Sequence, residues 1–474
     1  MGRALETERA MLEAVSGVYR RWGFVALETG ALEYADALGK FLPDQDRPNE
    51  GVFALMDDDN QWLSLRYDLT APLARFAAEN WDSLPKPFRR YAFGPVWRNE
   101  KPGPGRFREF LQCDADTVGA PAPFADAEIV AMAVEALQAA GAAPDEVVLK
   151  VNTRQLLNAV LDAVGAERAG QRLTILRALD KLDRLGEAGV ADLLGKGRRD
   201  ESGDFTPGAG LEAAGVATLL AFAGAGRASR SATLEALGAV VGTGAEATAG
   251  LAALAGMDRV LSALGVGDAQ VRFDPAVVRG LEYYTGPVFE AEFTREVRGD
   301  DGRPVRIGSV GGGGRYDDLV SRFRGELVPA TGFSVGVSRL AAAFAAAEAT
   351  TTRDGPVVVL VMDRDEIARS FAHASRLRAA GIPAEVYLGA AGMKAQMKYA
   401  DRRGAPAVII EGSSERGAGV VQIKDLALGE QLAQAITDNR AWKEERPGQI
   451  EAPAAELEAA VRAVLARQRR DTAP

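Results

Sequence analysis

Between Arg89 and Gly119 the chain reads RRYAFGPVWRNEKPGPGRFREFLQCDADTVG, and this stretch constrains the fold more than any other. Two apolar runs, Tyr91 to Trp97 and Phe107 to Cys113, flank a polar loop rich in glycine and proline, which predicts an antiparallel hairpin. Alternate residues of a strand share a face, so Arg106, Arg108, Phe110, Gln112, Asp114 and Asp116 fall on one side. Phe107, Glu109, Leu111, Cys113 and Ala115 fall on the other. A charge run on a sheet is ordinarily a solvated face. The alternative is a binding surface, with arginines near the loop as planar donors for phosphate and Gln112 and the aspartates as acceptors for an ammonium or imidazole. Such a surface suits a nucleotide beside an amino acid.

Composition narrows the chemistry. At 474 residues the chain is too long for one hydrophobic core, and two or three domains are expected. The single cysteine, Cys113, and the single histidine, His373, exclude an intrachain disulfide, a cysteine-rich zinc site and a multi-histidine metal site. Catalysis is left to carboxylates, arginines, tyrosines and a metal-bound nucleotide. Cys113 lies on the opposite strand face from Gln112 and reads as a packed residue. A net charge of -10 argues against nonspecific coating of nucleic acid while leaving room for a local basic surface. No apolar run reaches bilayer length and the N-terminus has no signal-peptide core, so a cytoplasmic enzyme without a membrane partner is expected.

Taken in order, Met11, Leu12, Val15, Val18 and Tyr19 predict a helix from about Glu6 to Trp22, stopped by Gly23 and followed by a strand from Phe24 to Leu27. A strand from Trp62 to Leu65 leads to Asp68 and Thr70, where Thr70 is expected to cap a helix with Pro72 in its first turn. Phe124 to Ala140 reads as a helix and Val147 to Val151 as a strand, followed by Asn152 and Arg154. An alanine- and leucine-rich helical pattern then runs to about Gly265, with a loop from Glu201 to Gly210. Strand patterns resume near Val271. They continue through Arg279 to Gly286, RGLEYYTG, where Tyr283 and Tyr284 on a strand point to opposite faces. The run Gly311 to Gly314 lacks the spacing of a Walker loop and reads as backbone that permits close approach of a ring. Thr331 to Leu340 reads as a strand entering a helix, and Thr350 to Pro356 as a linker. Beyond it, strands alternate with helices, which predicts a small α/β domain with a mainly parallel sheet. Lys394 and Lys398 share a helix face there, suited to RNA phosphates or to plain solvation. A last helix is expected from Leu457 to Arg469.

The block from Arg98 to Gln112, RNEKPGPGRFREFLQ, with Asp116 and Gly119 beyond it, resembles motif 2 of the class II aminoacyl-tRNA synthetases, specifically the histidyl-tRNA synthetases. RGLEYYTG resembles the family's histidine signature, with Glu282 where aspartate is frequent, and Thr331 to Leu340 resembles motif 3. The stretch ETGALEYADALGKFLPD from Glu28 is similar to motif 1, with Gly30 in place of a proline, and Gly392 to Ala400 is similar to part of the anticodon-binding domain.

The resemblance implies an α/β chain with an α+β catalytic core, an antiparallel sheet flanked by helices. The core would occupy residues 1–150 and 267–349, a helical insertion leaning on the tRNA acceptor arm 151–266, a C-terminal α/β anticodon-binding domain 355–445, and a tail 446–474. It implies that ATP with Mg2+ and L-histidine form histidyl-adenylate, which is passed to the 3′ end of tRNA(His) by a homodimer. By the same resemblance Arg98 and Arg279 are catalytic. Asp68, Leu69, Thr70, Arg98, Gln112, Asp116, Arg279, Tyr283, Tyr284 and Tyr316 hold histidine. Arg98, Glu100, Arg106 and Arg339 hold ATP, and Lys394 and Lys398 touch tRNA. The competing reading is a non-catalytic, histidine-binding regulatory subunit of an ATP phosphoribosyltransferase. That type usually lacks the C-terminal domain and has lost residues of the ATP and histidine signatures, whereas this chain keeps Arg98, Arg106, Arg279 and Arg339.

Overall fold

Ten residues from Glu109 to Val118 alternate between the two sides of one long strand near the middle of the main sheet. The structure, a computed structural model, describes residues 2–34, 51–103, 105–199, 203–278, 284–298, 304–305, 307–347, 353–435 and 448–471. The chain divides into two units, Met1–Ala347 and Glu348–Pro474.

In the first unit the strands are β1 (Val25–Ala26), β2 (Leu32–Tyr34), β3 (Ala54–Met56), β4 (Trp62–Leu65), β5 (Phe88–Trp97), β6 (Glu109–Val118) and β7 (Val147–Thr153). They continue with β8 (Gly197–Arg199), β9 (Phe205–Pro207), β10 (Val271–Phe273), β11 (Pro287–Phe293), β12 (Val297–Arg298), β13 (Pro304–Val305), β14 (Gly308–Arg315) and β15 (Ala330–Gly336). Eight of them form one sheet in the order β1-β5-β6-β15-β14-β11-β7-β10. Its central pairings are antiparallel, and only the outer ones, β1 with β5 and β7 with β10, are parallel. The expected antiparallel sheet flanked by helices is what forms.

One face of this sheet is apolar. Cys113 and Ala115 of β6 are buried in the same core as Val15, Val18 and Tyr19 of the helix Gly2–Arg21, and the Tyr19 hydroxyl donates to the Cys113 carbonyl at 3.3 Å. Burial pushes the Cys113 thiol up to about 12, so it is a packed, neutral group. The helix Phe124–Ala139 belongs to the same core and extends it to the helices Arg154–Ala163 and Ala245–Ala263 through Leu156, Leu254 and Met257. The segment expected to be helical with loops also holds the β8–β9 hairpin, whose second strand lies within the expected loop from Glu201 to Gly210.

The hairpin differs from expectation in its reach. Its strands begin at Phe88 and run to Val118, while Arg106, Phe107 and Arg108 lie outside the ladder. Polar residues did not end the strands, because Arg90, Asp114 and Asp116 are buried together instead of facing water. Tyr284 is not on a strand either, since β11 begins at Pro287.

The second unit holds β16 (Val357–Val359), β17 (Ala384–Val386), β18 (Ala407–Ile410), β19 (Val420–Asp425) and β20 (Gln449–Pro453), in the order β17-β16-β18-β19-β20. The first two pairings are parallel and the last two antiparallel, which corrects the expected mainly parallel sheet. Only a short helix, Ser413–Ala418, separates β18 from β19, too little chain for a parallel crossover, and the strand returns antiparallel. β20 and the helix Leu457–Asp471 complete this unit from residues read as tail. Val359, Ile409, Ile423, Leu457 and Val461 form its core. His373 is buried there, with Nε2 3.1 Å from Oε2 of Glu411, which also pairs with Arg369 at 2.8 Å.

Candidate functional site

The polar face of β6 is the floor of the site. Asp116 is 2 % exposed, and its register partners are Arg90 on β5 and Gly332 on β15. Arg90, 1 % exposed, places Nη2 2.9 Å from Asp116 Oδ2. From the other side the Tyr316 hydroxyl donates a short hydrogen bond to Asp116 Oδ1. Tyr316 is fixed by its neighbour: Arg315 pairs with buried Asp126 at 2.8 Å and with Asp317 at 3.0 Å. Burial raises the pKa of the Asp116 carboxyl, and Arg90 and the Tyr316 hydroxyl pull it back down. Gly332 is required at its place, because a Cβ there would overlap Asp116 Oδ1.

Arg90 also donates to the Leu69 carbonyl at 2.7 Å, which ties the floor to the start of the helix Thr70–Asn80. There Asp68 Oδ1 accepts from Thr70 N at 3.1 Å and Ala71 N at 2.9 Å. The first helix amides are therefore met by Asp68, one residue before the N-cap position Leu69, and not by Thr70 as the sequence suggested. Arg98, just past β5, donates to the Tyr67 carbonyl at 3.1 Å and lies over the Phe110 ring at 5.2 Å. Tyr284 stands among the charges of Asp68, Asp114, Asp116 and Arg98, and burial raises its pKa.

The glycine run has a structural cause. A Cβ at Gly314 would lie 2.8 Å from the Tyr284 ring, and one at Gly311 would lie 2.8 Å from the Phe333 ring. What approaches β14 closely in this structure is the protein's own aromatic side chains together with neighbouring backbone carbonyls, among them Gly332 O, which a Cβ at Gly313 would overlap.

Around the hairpin loop, Gly103 and Arg106 exchange backbone hydrogen bonds of 3.2 and 2.9 Å, and Gly105 takes a φ of 64°. Arg339, early in the helix Val337–Ala347, runs beneath this loop, with Cγ 3.5 Å from where a Gly105 Cβ would be, and donates to the Ile307 carbonyl at 3.0 Å. Glu100 and Arg106 are exposed.

The structure thus gathers Asp68, Leu69, Thr70, Arg98, Gln112, Asp116, Tyr284 and Tyr316 on one surface, with Glu100, Arg106 and Arg339 about the adjoining loop. Arg279 and Tyr283 lie outside the described residues, as do residues 35–44 of the stretch similar to motif 1 and 350–352 of the linker. In the second unit Lys394 and Lys398 are exposed on the helix Met393–Arg402, while Gln396 between them is buried and bonds Val361 N at 2.9 Å and Val361 O at 2.8 Å. Sequence reasoning missed Arg90, whose signal was its place opposite Asp116 once the hairpin register is counted back from the loop.

Comparison with known proteins bears on the family of the chain. The sequence profile described as histidyl-tRNA synthetase matches residues 3–340, and the profile described as anticodon binding domain matches residues 356–444. The chain is 62 % identical over 466 residues to a histidine–tRNA ligase of Caulobacter vibrioides, covering 98 % of this chain and 94 % of that one. It is 56 % identical over 476 residues to a histidine–tRNA ligase of Brucella ovis, covering 99 % of this chain and 95 % of that one. Among solved structures, the histidyl-tRNA synthetase of Nostoc sp. PCC 7120 superposes with a TM-score of 0.68 at 26 % identity, covering 96 % of this chain and 95 % of that one.

Proposed function

Because this chain belongs to the histidyl-tRNA synthetase family and acts as a ligase that joins histidine to tRNA, we propose that the polar face of β6 and its neighbours is where histidine is activated. The substrates are histidine, ATP and tRNA. The observation that carries the proposal is the buried Asp116 carboxylate, clasped between Arg90 and Tyr316 on a floor tied through Leu69 to Asp68. A fixed acceptor of this kind, with tyrosines beside it, suits an imidazole that has one donor and one acceptor.

In this reading the imidazole lies against Asp116 and Tyr316 with Tyr283 or Tyr284 at its side, and the α-ammonium faces Asp68, Leu69, Thr70 and Gln112. Glu100, Arg106 and Arg339 border the nucleotide, with Arg339 against the γ-phosphate or the adenine. Mg2+ enters as the counter-ion of ATP and neutralises phosphate charge. Arg98 and Arg279 bracket the histidine carboxylate and the α-phosphate. The carboxylate attacks the α-phosphorus, pyrophosphate leaves, and no general base is needed because the nucleophile is already ionised. The terminal ribose hydroxyl of tRNA(His) then takes the activated amino acid. Residues 151–266 lean on the acceptor arm, and residues 355–445, through Lys394 and Lys398, meet the anticodon side.

A homodimer fits the outer sheet β2-β4-β3. Leu32, Tyr34 and Leu55 are exposed on the same face as Leu63 and Leu65, a patch of apolar surface that a second copy would cover. Among the described residues no helix is long and apolar enough to cross a membrane, and the role assigned is a cytoplasmic one.

The test is histidine-dependent ATP–pyrophosphate exchange with the other amino acids alongside. Exchange with histidine alone is expected, and Arg279→Ala should abolish it without changing the fold. Absence of exchange while histidine still binds would point to the regulatory subunit instead, and normal exchange in the Arg279 variant would remove that residue from catalysis.

A further inference from the structure

β6 carries another acid between the two residues already assigned to the substrate. Asp114 is 1 % exposed, and its Oδ1 has no hydrogen-bond partner among the described residues. Its register partner on β15 is Ser334, whose hydroxyl lies near enough to hold the Asp114 pKa down although it makes no hydrogen bond of good geometry, and two residues along the same face the buried Oε1 of Gln112 has no hydrogen-bond partner among the described residues. Three neighbouring polar atoms stripped of water are costly to the fold unless a ligand satisfies them. The amide oxygen only accepts, while the serine hydroxyl and a protonated carboxyl can each donate to a single acceptor, so more acceptor sites than donors remain and the group is completed by a further donor. With an acid at the centre, the donor of best fit is a cation with several N–H groups.

We propose that Asp114 is a further substrate-binding residue, which with Gln112 Oε1 and Ser334 Oγ receives the α-ammonium group of histidine and surrenders a proton to solvent as that group arrives. The inference rests on reading β6 as the histidine-binding strand.

The proton balance follows from the surroundings. Burial, with Asp116 on the same strand and Asp68 before the helix, pushes the Asp114 carboxyl up to about 8, against the opposing charge of Arg90 on β5 and the Ser334 hydroxyl on β15. Arg66, just past β4, Tyr284, ahead of β11, and Tyr19, behind the sheet, also feel its charge. In the empty site at neutral pH the carboxyl is therefore mostly protonated. An ammonium beside it favours the ionised form, so binding converts a carboxylic acid into a carboxylate–ammonium pair and releases one proton to the buffer. The release vanishes above the empty-site pKa, where the group is ionised already.

The experiment is calorimetric titration of the full chain at about pH 7 in two buffers of different ionisation enthalpy, with histidine and with imidazolepropionate, which lacks the ammonium. For histidine, the heat should differ between buffers by release approaching one proton, and imidazolepropionate should show no difference. D114N should abolish the buffer dependence and shrink the preference for histidine over imidazolepropionate by roughly tenfold or more. Wild-type binding of histidine without proton release would overturn the proposal, and needs no variant. So would D114N that keeps both the release and the preference. D116N separates the underlying reading: if it binds histidine as wild type does, the assignment of the strand fails, whereas loss of binding there with unaltered D114N leaves the strand assigned and Asp114 out of it.

Discussion

Gly332 on β15 lies directly across from Asp116 on β6, and the carboxylate occupies the space that a side chain at residue 332 would need. The position is in an ordinary extended strand, so the backbone conformation tolerates alanine, and the main obstacle is Asp116, with the Ala115 carbonyl also close at 3.0 Å. Gly332→Ala should leave the circular dichroism spectrum unchanged while lowering kcat/KM for histidine by about a hundredfold, the cost of displacing a binding group by an ångström or so. Unaltered steady-state kinetics would show that the carboxylate is not fixed by this contact.

Tyr316→Phe removes a donor from Asp116 Oδ1 while keeping the ring. The hydroxyl, like Arg90, holds the Asp116 pKa down against burial, so its loss lets that pKa climb. With the ionised carboxylate as the form that takes the imidazole N–H, the acid limb of the pH profile of kcat/KM moves to higher pH. The sign is fixed, and a shift to lower pH would contradict the role given to the hydroxyl.

Arg90 pairs with Asp116 and bonds Leu69 while almost wholly buried. Arg90→Met deletes one partner of a buried ion pair, and such a deletion costs about 3–5 kcal/mol because the other charge is stranded. Denaturant unfolding should show that loss, together with loss of histidine binding. A double variant with Asp116→Leu should recover stability but not binding, which separates the two contributions.

Lys394 and Lys398 are exposed in the second unit, far along the chain from the activating residues. Changing both to alanine should raise the KM for tRNA about tenfold and flatten the dependence of log KM on log salt by roughly 0.7 for each single-strand phosphate contact removed. Pyrophosphate exchange, which needs no tRNA, should be untouched. Unchanged aminoacylation would return these lysines to the status of a solvated face.

Much of this could be read from residue patterns, because the hairpin and its loop announce themselves through alternation, glycine and proline. Element types survived well wherever the pattern was local, as in the helix from Phe124 or the strand from Trp62. What escaped depended on distant partners. Arg90 looks like a surface residue until Asp116 is known to stand opposite, and Asp114 looks solvated until β15 covers it. Thr70 is a good cap by type, but the residue two places earlier reaches the free amides first. β20 belongs to a sheet whose other strands lie earlier in the chain, and no neighbouring residue advertises that pairing.

His373, packed against Glu411 inside the second unit, is the only histidine in these 474 residues. A ribosome making this chain therefore draws on the enzyme's own product once. An enzyme that supplies charged histidine tRNA thus carries almost no demand for that amino acid in its own sequence.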